Sequence, residues 1–438
     1  MTRRLLLLLG LAALLVLAGC SAPTAGDGRP DPLTDREGWE DGYWYDDPVA
    51  VTTDDGLNES EREAVLARTM ARVERIRGLE FQQSVSVEVI SRTEYREEYA
   101  GRGSGGVDHW DEQVWEALLL VGEDTTVDEA YGPTFGASVR GFYAPGENAI
   151  VLVSDAETPT VDRWTLAHEL VHALQDQHFG LDGYPETRDR RVGQNGVVEG
   201  DANYVADRYE RRCVDAWNCL DRPVRGGGDT TGFNQGLFLT IYAPYVEGSA
   251  FVEAVRARSG WAGVNALYDD YPVSSEQVIH PEAYPDERPR TVEIPDRSNG
   301  RWERFDRDPA GETVGEAGVY AMFWANGQVN RSTHATYDYD HPLSAGWAGD
   351  RVVPYRNGER YGYVWASAWD SRADAREFAT GYRDILAERA VRQPSADTYV
   401  LPESDPFGDA FRITREGTRV RIVNAPTVSE LAGVHHAG

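Results

Sequence analysis

The sequence predicts an α+β fold in which a small mixed sheet packs with several helices. In residues 59–77 apolar side chains recur at helical spacing, and Gly78 follows as a typical helix end. Residues 85–90 alternate between apolar and polar side chains, which indicates a strand. Residues 142–153 form two strand-like pieces around Pro145-Gly146, a turn signal. Helical and strand patterns thus occur in the same part of the chain.

A second α+β module is expected at the C-terminus, in residues 296–438. Asn357-Gly358 and Glu416-Gly417 each lie between two alternating stretches, which is typical of β-hairpins. Between them, apolar residues at helical spacing predict a helix over residues 373–390. The sequence shows no repeat of roughly 20 to 50 residues, so solenoids and propellers are excluded.

The most informative segment is His168-Glu169-Leu170-Val171-His172, inside a helix-like stretch. Histidines four residues apart lie on one face of a helix, so both imidazoles would reach one Zn²⁺. Glu169 would then reach the water at the open coordination position as general base. The alternative is an amphipathic helix whose histidines are ordinary core or surface residues.

A third protein ligand is needed, because catalytic zinc usually has three side-chain ligands and one open position. A turn-rich connection follows the histidine segment and leads to Val197-Val198-Glu199-Gly200. This connection is long enough for a second helix to run back and offer Glu199. The predicted zinc ligands are therefore His168, His172 and Glu199. Asn203, one turn further on, would hydrogen-bond a ligand histidine or would be an ordinary surface amide.

Further motifs accompany this pattern: Glu199-Gly200-Asp201-Ala202, then residues 274–284 around Glu276-Gln277 and His280-Pro281-Glu282, and Gly346-Trp347. Together they resemble the gluzincin-type HExxH metallopeptidases, and most closely haloarchaeal cell-surface lipoproteins of that group, although Ser275 stands where that group often has Thr. The resemblance implies a zincin-like metalloprotease core in residues 49–295. It also implies that a strand within residues 142–153 forms the sheet edge on which an extended peptide pairs.

His280 is the predicted oxyanion donor. A peptidase of this type needs a donor opposite the general base to stabilise the tetrahedral intermediate. His280 follows an apparent short helix and precedes Pro281, which restricts its backbone. Two alternatives remain open at this point. The segment is a purely structural turn, or Tyr284 or a residue near Tyr143 supplies the donor.

The N-terminus predicts export. Arg3 and Arg4 precede an apolar run that is too short for a comfortable transmembrane helix and ends in Leu17-Ala18-Gly19-Cys20. We interpret residues 1–19 as a lipoprotein signal peptide and Cys20 as the lipidated anchor on the outer face of the cytoplasmic membrane, the alternative being an uncleaved anchor. Residues 20–48, rich in Pro, Gly and Asp, are predicted to be a disordered tether.

Two other features agree with an exported protein. Cys213 and Cys219 have five residues between them, which favours a disulfide over free thiols. Asn58 and Asn330 each begin a sequon for N-glycosylation.

The composition indicates a halophilic protein. The formal net charge is −30, and the sequence contains no lysine. Acidic residues are spread along the chain, which argues against nucleic-acid binding, since that requires a basic footprint. The 41% of hydrophobic residues is sufficient for a substantial core.

Two classes of function fit these patterns. The first is a lipid-anchored extracellular zinc metallopeptidase that hydrolyses peptides or proteins with a zinc-bound water activated by Glu169. The second is a non-catalytic cell-surface protein that retains a zincin scaffold for binding or structure. The presence of Glu169 favours the enzyme, because a scaffold has no need of a general base. The sequence does not identify the substrate or the oligomeric state.

The acidic charge predicts that salt stabilises the fold. Raising KCl from about 0.1 M to about 1 M shortens the Debye length from about 10 Å to about 3 Å, which weakens repulsion between surface carboxylates. The melting temperature, followed by circular dichroism, should therefore rise steadily over this range. A melting temperature that stays constant or falls would contradict the prediction.

Overall fold

The structure is a computed structural model that describes residues 29–51, 55–95, 97–98, 107–135, 139–156, 158–181, 183–222 and 232–436. The predicted signal peptide and Cys20 lie outside the described residues. Helices and three β-sheets make up the described chain, which confirms the predicted α+β class.

The helices and strands follow one another in mixed order along the chain. The helices are α1 (Glu59–Arg77), α2 (Arg92–Tyr95), α3 (His109–Ala117), α4 (Val127–Phe135), α5 (Arg163–Phe179), α6 (Arg188–Asp215), α7 (Gln235–Ala266), α8 (Ser275–Ile279), α9 (Gly315–Ala325), α10 (Arg372–Arg389) and α11 (Leu431–Val434). The strands are β1 (Trp39–Glu40), β2 (Tyr43–Trp44), β3 (Ser86–Ile90), β4 (Gly141–Ala144), β5 (Ala149–Val153), β6 (Glu303–Arg304), β7 (Trp347–Asn357), β8 (Arg360–Trp369), β9 (Arg392–Ser395), β10 (Thr398–Val400), β11 (Ala410–Glu416) and β12 (Arg419–Ala425).

The first helix shows the predicted ends. The Asn58 side chain accepts a hydrogen bond from the backbone N–H of Glu61, and the Glu61 side chain accepts one from the N–H of Asn58, so the two residues form a capping box. Gly78 ends the helix with φ of 72°, a left-handed conformation that glycine adopts without strain.

A small mixed sheet lies beside α5. Its strand order is β3-β5-β4, with β3 parallel and β4 antiparallel to β5. Strand β4 is at the edge of this sheet and forms the predicted hairpin with β5, in which Tyr143 is opposite Ile150. Apolar side chains of β5 and α5 share one core, represented by Ile150 and Leu170. This core sets the distance between the sheet and the histidine helix.

Helices α6 and α7 cross at a contact between glycines. A Cβ atom at Gly200 would collide with the backbone of Gly248, and a Cβ at Gly248 would collide with the backbone carbonyl of Gly196. Only glycine permits the two backbones to approach so closely. Further along α7, Gly260 has φ of 64° and interrupts the helix with a kink.

The C-terminal part is built on a seven-stranded antiparallel sheet with strand order β6-β7-β8-β12-β11-β10-β9. The turns at Gly358 and Gly417 both have φ of 62°, and the two predicted hairpins are confirmed there. Helix α10 confirms the predicted helix to within one residue at each end. Its side chains Phe378 and Tyr382 pack against Trp365 of the sheet.

The predicted tether differs from the structure in residues 38–47. Strands β1 and β2 pair as a short hairpin and pack on α1, where the Glu74 carboxylate accepts hydrogen bonds from the backbone N–H groups of Gly38 and Phe81, both 2.8 Å long. Gly38 and Gly42 have positive φ values of 86° and 90°. Residues 38–47 therefore form tight turns rather than a flexible linker, and the buried Glu74 carboxylate fixes the backbone at Gly38.

The predicted disulfide is present. Cys213 and Cys219 are bonded, with their Cα atoms 5.6 Å apart, and they close the loop that follows α6. Asn58 and Asn330, the two sequon asparagines, are exposed. Among the described residues, no helix combines the length and apolar character required to cross a lipid bilayer.

Candidate metal centre

Helix α5 presents the histidine segment on its buried face. Asp162 caps the helix by accepting hydrogen bonds from the N–H groups of Trp164 and Thr165, at 3.0 and 3.1 Å. The indole ring of Trp164 stacks on the imidazole of His168, with ring centroids 5.2 Å apart. Cap and stack together restrict the orientation of the first histidine.

The three predicted ligands converge on one point. The Nε2 atoms of His168 and His172 are 3.0 Å apart. Atom Oε2 of Glu199 lies 3.2 Å from Nε2 of His168 and 3.5 Å from Nε2 of His172. Helix α6 packs along α5, as the chain reversal between the two segments predicted, and this packing delivers Glu199 to the histidine pair.

Each ligand has its own supporting contacts. Nδ1 of His172 lies 2.9 Å from Oε1 of Gln175, whose amide N–H donates to the carbonyl oxygen of Val198 at 2.9 Å. This chain of contacts links the second histidine to α6, one residue before Glu199. Nδ1 of His168 has no hydrogen-bond partner among the described residues, so the Trp164 stack is its main constraint.

Tyr245 of α7 orients the third predicted ligand, a role that the sequence did not indicate. Its hydroxyl donates to Oε1 of Glu199 at 2.9 Å, which leaves Oε2 directed at the two histidines. Asn203 donates through Nδ2 to the carbonyl oxygen of Tyr245 at 2.7 Å. The prediction that Asn203 hydrogen-bonds a ligand histidine is therefore wrong, because its partner is the backbone of Tyr245. No sequence pattern pairs a tyrosine with an acid this far away along the chain.

Glu169 faces the sheet rather than α6. Its Oε2 accepts a hydrogen bond of 3.0 Å from the backbone N–H of Tyr143 on β4. Burial raises the pKa of Glu169, and the two neighbouring histidines partly oppose that rise. The carboxylate also lines a cavity of about 280 Å³, whose walls include Gly141, Leu152 and Arg140.

The electrostatics of the three predicted ligands favour a positive charge between them. Burial alone would lower the pKa of His172, but the Glu199 carboxylate outweighs it and raises that pKa to about 9. Burial alone would raise the pKa of Glu199, yet the charges on the histidines lower it well below its ordinary value. A cation between the two imidazole nitrogens and the carboxylate oxygen is therefore favoured, and either a proton on His172 or a bound metal ion would supply it.

The donor set fits zinc. Glu199 Oε2 is buried and faces the two imidazole Nε2 atoms, and neutral imidazole Nε2 atoms with a carboxylate oxygen are common zinc ligands. One ligand atom each from His168, Glu169 and His172 also lie within 4.8 Å of one another. Glu169 is therefore close enough to act on a molecule held at this point.

His280 belongs to a different polar cluster in the structure. Its Nε2 lies 3.0 Å from Oε1 of Glu316, a carboxylate at the start of α9 that is fully buried. The two alternative donors also point elsewhere. The Tyr284 hydroxyl donates to the carbonyl of Asp270 at 2.6 Å, and the Tyr143 hydroxyl donates to Asp176 at 2.8 Å. None of these contacts reaches the histidine pair, whereas the ring of Tyr245 lies 6.4 Å from that of His168.

Part of the C-terminal region matches a known protein family. Residues 303–435 are similar to a family described as "Domain of unknown function (DUF8575)". The match begins at β6 and covers the seven-stranded sheet with α9 to α11, and it does not include the proposed metal ligands. A comparison with curated proteins found no match.

The converging ligands predict a metal site that depends on His172. Replacing His172 by Ala should reduce zinc from a full equivalent per chain to near zero, because it removes one of the three ligands. Zinc is measured by mass spectrometry on protein purified at molar salt. The matched control is His178→Ala on the same helix, since His178 contacts the carbonyl of Glu80 instead of the ligands. A full equivalent in the His172 variant would contradict the site.

Proposed function

We propose that the protein is a zincin-like zinc metallopeptidase that hydrolyses peptide bonds. The supporting observation is the convergence of His168, His172 and Glu199 within 3.5 Å, with Glu169 beside them. A scaffold that only needed rigidity would not direct two imidazoles and a carboxylate at one buried point. Nor would it need a buried second carboxylate facing a cavity.

His168, His172 and Glu199 would hold the ion through Nε2, Nε2 and Oε2. Zinc bound there would supply a Lewis acid that polarises the scissile carbonyl and lowers the pKa of water. Tyr245 would keep Glu199 in the orientation required for binding, and Gln175 would do the same for His172. The protein would contribute ligands that these contacts already orient.

Glu169 would move the protons. Its carboxylate would accept a proton from the attacking water while the water oxygen bonds to the carbonyl carbon. The same proton would pass to the amide nitrogen as the C–N bond breaks, which releases an amine and a carboxylic acid. The N–H of Tyr143 holds Oε2, so the other oxygen of Glu169 would be the one that exchanges protons. The raised pKa of Glu169 suits a base that must later act as an acid.

The substrate would bind on the side of β4. This strand is at the edge of its sheet, and the Glu169 cavity opens between β4, β5 and the start of α5. An extended peptide pairs with exposed sheet edges through backbone hydrogen bonds. Leu152 would contact an apolar side chain of the substrate, while Arg140 lies at the cavity as a cation.

We place this activity outside the cell, on a lipid anchor at Cys20. The signal-like residues 1–19 support export, and the bonded Cys213–Cys219 pair agrees with an oxidising compartment. Peptides and proteins at the cell surface would then be the substrates.

Replacing Glu169 by Gln separates catalysis from binding. The amide keeps the size of the side chain but cannot accept the proton, so hydrolysis should fall at least about a hundredfold. Zinc content should stay at a full equivalent, because Glu169 is not among the three ligands. Turnover is measured at molar salt with a fluorogenic peptide library, and zinc is measured on the same samples.

Two further variants serve as references for this test. Glu253→Gln changes an exposed carboxylate on α7 that pairs with Arg208, and it should leave turnover unchanged. His280→Ala should lower the melting temperature and leave turnover nearly unchanged, since His280 contacts buried Glu316. Equal turnover by wild type and Glu169→Gln would refute the peptidase.

A further inference from the structure

Three carboxylates from segments outside the histidine helix form a second polar group. Glu116 is at the end of α3, Glu123 is in the loop that follows, and Asp409 immediately precedes β11. One carboxylate oxygen from each lies within 4.8 Å of the others. Glu116 is 2% exposed and Asp409 4%, whereas Glu123 is at the surface, so the group opens to solvent on one side.

The described residues give this group no compensating ion pair. Arg360 is near Asp409, but its guanidinium pairs with Glu430. A third acidic group, Glu276 with Glu287 and Asp370, differs in this respect, because Arg290 lies 3.0 Å from Asp370. Adjacent carboxylates that are buried without a cation repel one another.

Two buried amides point at the same group. Asn424 donates through Nδ2 to Oε1 of Glu116 at 3.4 Å, and the Gln113 amide nitrogen contacts the other oxygen of Glu116. Asn424 is fully buried and Gln113 is 5% exposed. The amide oxygens of both residues have no hydrogen-bond partner among the described residues. A half-turn of an amide exchanges its oxygen and nitrogen without changing its shape. Either oxygen can therefore face the carboxylates.

We propose that Glu116, Glu123, Asp409, Gln113 and Asn424 bind a calcium ion. Calcium takes six to eight oxygen ligands from carboxylates and amide carbonyls, at about 2.3 to 2.6 Å. Three carboxylates and two amides supply five to eight such oxygens, according to whether each carboxylate binds through one atom or two. The opening at Glu123 provides the path of entry.

The position of this site gives the ion a structural role. The backbone N–H of Glu123 donates to the carbonyl of Pro406 at 2.8 Å, and a Cβ at Gly122 would collide with Pro406. The loop after α3 is thus already in close contact with the loop between β10 and β11. Calcium bound by Glu123 from one loop and Asp409 from the other would fasten the C-terminal sheet to the rest of the chain.

The competing explanation is that a proton replaces the cation. Burial, followed by the charges of Asp409 and Glu123, raises the pKa of Glu116. Burial and then Glu123 raise the pKa of Asp409 to about 7. A shared proton would relieve the repulsion and would make stability independent of calcium.

Calcium titration of the full chain distinguishes the two. Metal-depleted protein at constant molar KCl is heated with and without CaCl₂ at about a hundred times the dissociation constant measured by calorimetry. Bound calcium should raise the melting temperature by at least about 3 °C. MgCl₂ should raise it less, because Mg²⁺ requires a tighter octahedron and gives up its water reluctantly.

Variants locate the effect. Glu116→Gln and Glu123→Gln should each abolish the rise in melting temperature that calcium causes. Because Glu123 is exposed, its variant should fold even if the Glu116 variant does not. Glu287→Gln, in the acidic group that has its own arginine, should keep the shift. The His172→Ala chain should also keep it, so failure of the zinc centre does not affect this result. No calcium shift in wild type, an equal shift in Glu116→Gln and Glu123→Gln, or an equal response to MgCl₂ would overturn the proposal.

Discussion

The close crossing of α6 and α7 at Gly200 and Gly248 determines where the proposed metal ligands lie. Because a Cβ at either position would meet the backbone of the other helix, only this pair of glycines permits the observed separation. Overpacking of such a contact typically costs about 1 to 3 kcal/mol. The crossing sets Tyr245 of α7 against Glu199 of α6, and Glu199 is then directed at the histidines of α5.

The residues around Gly200 face three different neighbours. Successive side chains on a helix are about 100° apart, so Glu199, Gly200 and Asp201 point in separate directions. Glu199 faces α5, Gly200 faces α7, and Asp201 accepts from Arg77 of α1 at 2.9 Å and from Tyr268 at 2.9 Å. Breaking a buried ion pair such as Arg77 with Asp201 typically costs about 3 to 5 kcal/mol. One turn of α6 therefore joins the site to the core.

Local patterns predicted much of this molecule. The ends of α1 follow from Asn58 and Gly78, and the hairpin turns follow from Gly358 and Gly417, because each depends on residues adjacent in sequence. The histidine pair is equally local, since four-residue spacing places both on one face of α5. Glu199 could also be predicted as a ligand, because α6 directly follows α5 in the chain.

Contacts between distant segments were not predictable in the same way. Tyr245 reaches Glu199, and Arg77 reaches Asp201, only because the helices cross as they do. A tyrosine or an arginine in an amphipathic helix has no pattern that names its partner. Residues 38–47 show the same limit, because the Glu74 carboxylate of α1, distant in sequence, accepts the hydrogen bond from the N–H of Gly38.

X-ray absorption at the zinc edge, measured on the full chain at molar salt, tests whether two imidazoles and one carboxylate bind zinc. We expect a first shell made only of nitrogen and oxygen at about 2.0 to 2.2 Å, with outer-shell scattering from two imidazole rings. The Glu199→Gln chain should show a changed first shell. Sulfur neighbours at about 2.3 Å, or a spectrum without imidazole scattering, would contradict binding by His168, His172 and Glu199.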